Sequence, residues 1–255
     1  MMKLRFDHYG EDGFPLIILH GLFGSASNFR TLAKLYGEKF SVFCLDLRNH
    51  GESPQDDDTS YDAMASDVVE FMDDQDIDTA HVIGHSMGGK VAMQLALTHP
   101  ERVTKLIVGD IAPVSYPPHH VSVFDALNAI DLAAISSRGD AENVLKDYIA
   151  EPGVRLFLLS NLARRKDQGF YWRMNLPVLD AHYPDIAAAP TGTPFEKDCL
   201  FIRGELSDYI PDSFFPAIYK LFPYAQIETL AGAGHWLHAE KPQDFTKLVM
   251  DFLEE

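Results

Sequence analysis

The chain has 255 residues, 46% of them hydrophobic, and a formal net charge of −17 at pH 7. This length fits one large α/β domain, or one such domain with a modest insertion, and the apolar content is sufficient for a buried core. The negative charge disfavours a nucleic-acid or anionic-membrane surface, and no apolar run approaches the length of about 20 residues that a membrane helix requires.

The first clear strand pattern, Phe14–Leu19, ends in a glycine-rich turn, His20-Gly21-Leu22-Phe23-Gly24. A helical pattern follows this turn. A turn of this kind supplies one oxyanion-binding N–H group in enzymes that also carry a nucleophile elbow. We therefore predict that the backbone amide of Leu22 is one such donor.

Strand and helix patterns alternate from residue 3 to about 112 and again from about 196 to the end. One helix is clear after Thr59-Ser60, either of which is a plausible N-cap. Alternation of this kind predicts a mainly parallel sheet with helices on both faces.

The most informative motif is Gly84-His85-Ser86-Met87-Gly88. A buried strand pattern begins at Ala80 and runs into it, and a helix pattern follows it. Strand, sharp turn and helix with serine at the apex is the context of a nucleophile elbow. The pattern predicts Ser86 as the nucleophile and the amide of Met87 as the second oxyanion donor.

The next strand pattern, Val103–Gly109, ends at Asp110. This aspartate lies one strand further along the sheet, at the edge that carries Ser86. It is one of two candidates for the acid of a catalytic triad.

The alternation of strand and helix patterns stops between Ile111 and about Phe195, and prolines mark both ends of this segment. Helix-like patterns lie within it, around 121–130, 141–149 and 154–164. We predict an α/β core of residues 1–112 and 195–255 and a small helical cap of residues 113–194. A cap over the catalytic edge narrows access and supplies an apolar pocket.

Within the cap, Trp172 and Arg173 are predicted to bind substrate. Arg173, together with Arg164, Arg165 and Lys166, offers positive charge to a carboxylate or phosphate. The alternative interpretation is a solvated charge run and a self-contained cap core. The apolar pocket candidates are Phe124, Leu127, Leu158, Phe170 and Trp172.

The second acid candidate follows the strand pattern Leu200–Gly204. The triad acid usually occurs there as Gly-x-x-Asp, but Ser207 occupies that slot and Asp208 comes one residue later. An extended backbone would aim the later side chain differently. We favour Asp110 over Asp208, and both remain open at this point.

The last chemical motif is Ala231-Gly232-Ala233-Gly234-His235-Trp236, between a strand pattern and a C-terminal helix pattern. A histidine on a glycine-rich loop after the last strand completes the order serine, acid, histidine. We predict His235 as the general base and acid that moves the protons.

These motifs resemble those of the α/β-hydrolase superfamily over essentially the whole chain and, more narrowly, YbfF-type bacterial esterases. Further matching stretches are Asp46–Ser53, Gly169–Leu176 and Gly232–Pro242. The resemblance implies an α/β-hydrolase fold, with a mostly parallel eight-stranded sheet flanked by helices and a cap inserted after the sixth strand. It also implies a triad acid after the sixth strand, in agreement with Ser207 in the usual slot.

The resulting hypothesis is a serine hydrolase that cleaves small carboxylic esters, and acyl-CoA thioesters as a further class, through an acyl-enzyme intermediate. The alternatives are a C–C bond hydrolase or lyase with the same triad, and a non-catalytic ligand-binding protein. We expect no cofactor, no metal, a small-molecule substrate, no nucleic-acid partner and no membrane insertion, with a homo-oligomer left open. Cys44 and Cys199 lie in strand patterns, which favours small buried residues and a cytoplasmic location.

Overall fold

A computed structural model of the protein describes residues 2–165 and 169–255. Lys166, one of the predicted cap cations, lies outside the described residues. The strands of the described chain are β1 (Phe6–Tyr9), β2 (Phe14–Leu19), β3 (Phe40–Leu45), β4 (Ala80–His85), β5 (Val103–Gly109), β6 (Leu162–Arg165), β7 (Gly169–Trp172), β8 (Cys199–Gly204) and β9 (Ala225–Leu230).

Seven of these strands form one sheet in the order β1-β3-β2-β4-β5-β8-β9. Strand β1 pairs antiparallel with β3, and the other neighbouring pairs are parallel. The carboxyl ends of β2, β4, β5 and β8 therefore meet at one edge, where parallel α/β sheets commonly place their ligands.

The helices either flank the sheet or form part of the segment inserted between β5 and β8. Their bounds are α1 (Arg30–Tyr36), α2 (Tyr61–Asp74), α3 (Met87–Thr98), α4 (Val121–Asn128), α5 (Arg138–Leu145), α6 (Pro152–Leu159), α7 (Leu176–Ala181), α8 (Tyr183–Ala187), α9 (Phe215–Leu221), α10 (Leu237–Glu240) and α11 (Pro242–Glu254). Ser60 caps α2, and its side chain accepts a hydrogen bond from the amide of Ala63.

The core has two parts because successive side chains of a strand point to opposite faces of the sheet. On β2, Ile17 and Leu19 belong to one buried cluster, and Leu16 and Ile18 belong to the other. All six residues of β4 are buried, as expected for a central parallel strand covered on both faces. These packed layers fix the carboxyl edge on which the candidate site lies.

The strand count differs from the expected eight, since the described main sheet has seven strands. The chain before β2 contributes one strand, β1, so the strand that precedes the insertion is the fifth in the chain rather than the sixth. The mostly parallel α/β architecture itself is as predicted.

The segment between β5 and β8 contains α4 to α8 and an antiparallel ribbon, β6–β7. The predicted helix over 154–164 was therefore too long, because α6 ends at Leu159 and the chain then enters β6. The ribbon strands have four residues each, too short for strand periodicity to stand out from a helical pattern.

Lys90 on α3 holds the two ends of this inserted segment together. Its ammonium donates hydrogen bonds to the carbonyl oxygens of Val114 (2.8 Å), Ala187 (3.0 Å) and Ala188, and it lies 4.8 Å from the ring centre of Tyr116. The side chain is only 1% exposed. Burial lowers the pKa of Lys90 to about 7, whereas three carbonyl acceptors and an aromatic face favour the charged form.

Within residues 2–165 and 169–255, no helix has the length and apolar character needed to cross a bilayer.

Replacing Lys90 with methionine should destabilise the protein. Lys90→Met keeps the length of the side chain but removes the ammonium donor from three carbonyl groups, one of which, that of Ala187, also accepts from the Tyr116 amide. We therefore expect the free energy of unfolding to fall by about 2 kcal/mol. Urea denaturation measures this loss. The control is Lys220→Met, at an exposed position on α9, which should leave the midpoint near the wild-type value. Equal midpoints for the two variants would contradict the role assigned to Lys90.

Candidate active site

Ser86 stands at the turn between β4 and α3 with a strained backbone, at φ 54° and ψ −121°. Its amide donates a hydrogen bond to the Gly109 carbonyl oxygen (2.9 Å), which ties the turn to the end of β5. A Cβ atom on Gly84 would overlap the Gly88 carbonyl oxygen, and one on Gly88 would overlap the Leu19 carbonyl oxygen. Glycine is therefore needed on both sides of the serine for strand and helix to approach.

A continuous chain of hydrogen bonds connects Ser86, His235 and Asp110. The Oγ atom of Ser86 lies 3.0 Å from Nε2 of His235, and Nδ1 of the same ring lies 2.7 Å from Oδ2 of Asp110. Asp110 is fully buried, whereas the side chain of His235 is 17% exposed. The structure thus brings the three predicted residues together from three different loops.

Asp110, rather than Asp208, contacts the imidazole. Its Oδ1 accepts a hydrogen bond from the Gly204 amide (3.0 Å), and its Oδ2 accepts one from the Ser207 hydroxyl. Asp208 is exposed on the same loop. Ser207 thus stands in the usual position of the acid and reaches across to a carboxylate supplied by β5.

The two predicted oxyanion donors lie beside Ser86. Met87 is the first residue of α3, so its N–H has no acceptor within the helix. A Cβ atom on Gly21 would lie 3.2 Å from the Cβ atom of Ser86, so the turn that carries Leu22 rests directly on the serine. Leu22, Ser86 and Met87 line one cavity together.

Two buried histidines that the sequence analysis did not single out hold the Leu22 turn. His20 Nδ1 donates to the Gly21 carbonyl oxygen (2.8 Å), and its Nε2 accepts from the Leu47 amide (3.0 Å). His50 accepts from the Phe23 amide (3.2 Å), where φ is 62°. Burial lowers the pKa of His20 to about 4 and that of His50 to about 3, so both remain neutral acceptors near pH 7.

Further neutral rings surround His235. The Nε2 atom of His85 lies 2.7 Å from the His235 carbonyl oxygen and donates to it, and Tyr209 stacks on the His235 ring with the centres 4.1 Å apart. Burial holds the pKa of His85 well below its usual value and lowers that of His238 to about 3. His85 is the variable residue before the serine in the elbow motif. This position in the motif was the sequence signal for its hydrogen bond to the His235 carbonyl oxygen.

Ser86 opens into two cavities. The larger one, about 480 Å³, also contains His235 and is walled by apolar side chains that include Phe29, Phe157 and Trp236. The smaller one, about 40 Å³, lies beneath the two ends of the inserted segment.

Trp172 and Arg173 do not line either of these cavities, and their role in substrate binding stays a prediction. Trp172 is half-buried at the end of β7 and packs against the hydrophobic core, while Arg173 is exposed. Of the five apolar pocket candidates, Leu158 lines the larger cavity. Phe124 and Leu127 are buried in the core on α4, and Phe170 and Trp172 are half-buried on β7 and pack against the same core.

Across the part of the chain that the structure describes, no group of three or more His, Cys, Asp or Glu side chains is arranged to hold a metal ion.

Comparisons with known proteins agree with this architecture. The sequence model of the Alpha/beta hydrolase family matches residues 16–248. The chain is 38% identical to the sn-1-specific diacylglycerol lipase ABHD11 of Xenopus laevis, over 100% of this chain and 85% of that protein. It is 38% identical to the Escherichia coli esterase YbfF, over 94% of this chain and 93% of that protein. The structure of a marine microorganism esterase, 42% identical, superposes with a TM-score of 0.97 over 99% of this chain and 100% of that one.

The choice between the two acids has a kinetic test. Asp110→Asn keeps the shape of the side chain but cannot hold His235 in the same tautomer, so we expect turnover of an ester substrate to fall by up to about four orders of magnitude. Asp208→Asn is the matched control and should remain close to wild type. Initial rates at equal folded concentration, checked by thermal melting, measure both effects. A large loss in Asp208→Asn alone would reverse the assignment.

The buried histidines predict a loss of stability in acid. The pKa of His238 is about 3 in the folded chain, below the value of about 6.5 in the unfolded chain, so only the unfolded chain gains this proton as pH falls below 6.5. The contribution of neutral His238 to the free energy of unfolding is complete above pH 6.5. It declines by about 1.4 kcal/mol for each pH unit below that value. His238→Phe keeps an aromatic ring against Phe29 and should flatten this decline. Urea titrations between pH 7 and pH 5 measure the slope, and a variant as acid-sensitive as wild type would refute the prediction.

Proposed function

The chain belongs to the alpha/beta hydrolase family and is a carboxylic ester hydrolase, and we propose that it cleaves small carboxylic esters with Ser86 as the nucleophile. The observation that carries the proposal is the hydrogen-bond chain from Ser86 through His235 to the buried Asp110. Support also comes from relatives named as an esterase and as a lipase.

In the first half of the reaction, Nε2 of His235 accepts the hydroxyl proton as Ser86 Oγ attacks the ester carbonyl carbon. The negative charge that develops on the carbonyl oxygen is stabilised by the amides of Leu22 and Met87. Asp110 stabilises the imidazolium that forms and holds its orientation. The tetrahedral intermediate then collapses, and His235 protonates the departing alcohol.

In the second half, water replaces the alcohol. His235 accepts a proton from the water molecule, the hydroxide attacks the acyl carbon, and the same two amides receive the second oxyanion. Collapse of this intermediate releases the carboxylic acid and returns the proton to Ser86. The backbone amides and the buried rings around His235 are already in place, so little reorganisation is needed at either step.

Thioesters react by the same steps because a thiolate leaves in place of an alkoxide, and we include acyl-CoA as a second substrate class. The net charge of −17 on the protein slows the capture of acyl-CoA, which carries negatively charged phosphate groups. We therefore propose neutral small esters as the better substrates, and a cytoplasmic location remains part of the proposal.

The first test is hydrolysis of p-nitrophenyl butyrate. Wild type should show a burst of p-nitrophenol that scales with enzyme concentration, because acylation releases the phenol before water attacks. Ser86→Ala should lose both the burst and about 10⁴-fold or more of the steady rate. The matched control is Ser66→Ala, an exposed serine on α2, which should behave as wild type.

The outcomes separate the candidate functions. Equal activity of wild type and Ser86→Ala would show that Ser86 is not the nucleophile. Absence of turnover in both, combined with tight and saturable binding of the ester, would favour a non-catalytic binding protein.

A further inference from the structure

Ser86 lies at the junction of two cavities of very different size, about 480 Å³ and about 40 Å³. We propose that the smaller cavity takes the acyl group of the ester and the larger one takes the alcohol group. The preferred substrate is then an ester of a short-chain acid with a long or aromatic alcohol. This inference rests on the proposed function, since it concerns the orientation in which an ester binds at the same serine.

The direction of the ester follows from where its oxygen atoms must lie. The leaving oxygen has to receive a proton from His235, and His235 lines the larger cavity but not the smaller one. Leu22 lines both cavities, whereas Met87, the other proposed oxyanion donor, lines only the smaller one. An ester whose carbonyl oxygen meets both amides, with its leaving oxygen towards His235, directs its acyl chain into the smaller cavity.

The walls of the smaller cavity are held by internal hydrogen bonds. The Tyr61 hydroxyl donates to the Ile186 carbonyl oxygen, and the Tyr116 hydroxyl donates to the Tyr209 carbonyl oxygen (2.6 Å). Lys90 ties the two ends of the inserted segment to α3 at the floor. Since widening the cavity would break these bonds, we expect it to limit the size of its occupant.

The volume sets the length of that occupant. The smaller cavity, at about 40 Å³, has about one twelfth of the volume of the larger one, at about 480 Å³. This small volume favours acyl groups from acetyl to butyryl over an extended octanoyl chain.

The larger cavity has room for a long alcohol. Its walls include Val123 on α4, Val154 and Leu158 on α6, and Trp236 beside the catalytic histidine. An alkyl chain or an aromatic ring buried there gains the hydrophobic contribution of each added methylene.

The test uses two series of esters with the wild-type protein. In p-nitrophenyl esters from acetate to octanoate, we expect kcat/KM to fall by at least about tenfold between butyrate and octanoate. In acetate esters from ethyl to octyl, we expect kcat/KM to rise. Octanoate preferred over acetate in the first series, or ethyl preferred over octyl in the second, would overturn the assignment.

Two truncations test the assignment of each cavity. Ile186→Ala enlarges the smaller cavity and should raise the octanoate-to-acetate ratio of kcat/KM by about tenfold. Leu158→Ala enlarges the larger cavity. It should change how kcat/KM depends on alcohol length in the acetate esters, and it should leave the octanoate-to-acetate ratio unchanged. The proposal would be overturned if Ile186→Ala changed the dependence on alcohol length and Leu158→Ala changed the octanoate-to-acetate ratio. Poor folding of one variant does not affect this comparison, because each ratio is measured within a single protein. Absence of hydrolysis in both series would instead refute the proposed function, and this inference with it.

Discussion

The buried carboxylate of Asp110 joins three separate parts of the chain at one point. It receives hydrogen bonds from the Gly204 amide and the Ser207 hydroxyl, and it pairs with the ring of His235. A charge removed from water this completely requires such partners. The end of β5, the loop after β8 and the loop after β9 must therefore meet for the folded chain to be stable, and their meeting also places His235 against Ser86.

A second constraint is the close approach of backbone atoms around Ser86. Gly84 and Gly88 allow β4 and α3 to come together, and Gly21 allows the neighbouring turn to lie against the serine. Neutral His20 and His50 then hold that turn through single hydrogen bonds to the backbone. The position of the Leu22 amide thus depends on two imidazole rings that hydrogen-bond to the backbone around it.

Much of this was predictable because the signals are local. The elbow, the His-Gly turn and the histidine loop each follow a strand directly, and Ser207 in the usual acid slot pointed towards Asp110. The inserted segment was harder, since its course depends on contacts far apart in the chain, such as Lys90 with Val114 and Ala187. Spacing along the sequence does not reveal these contacts, so the short ribbon and the packing of Trp172 against the hydrophobic core were not predicted.

The two ends of the inserted segment come together at a single nitrogen atom, since the Val114 and Ala187 carbonyl oxygens both lie within 3.0 Å of the Lys90 ammonium. The segment contacts the core elsewhere too, since the Asn161 side chain donates to the Phe23 carbonyl oxygen and the Asn175 amide donates to the Asn49 carbonyl oxygen. The length and composition of the segment can change without altering the spacing of β5 and β8, provided that both ends still reach the ammonium and these contacts are kept. Exchange of this segment between homologous enzymes is thus a route to new substrate ranges on an unchanged catalytic edge.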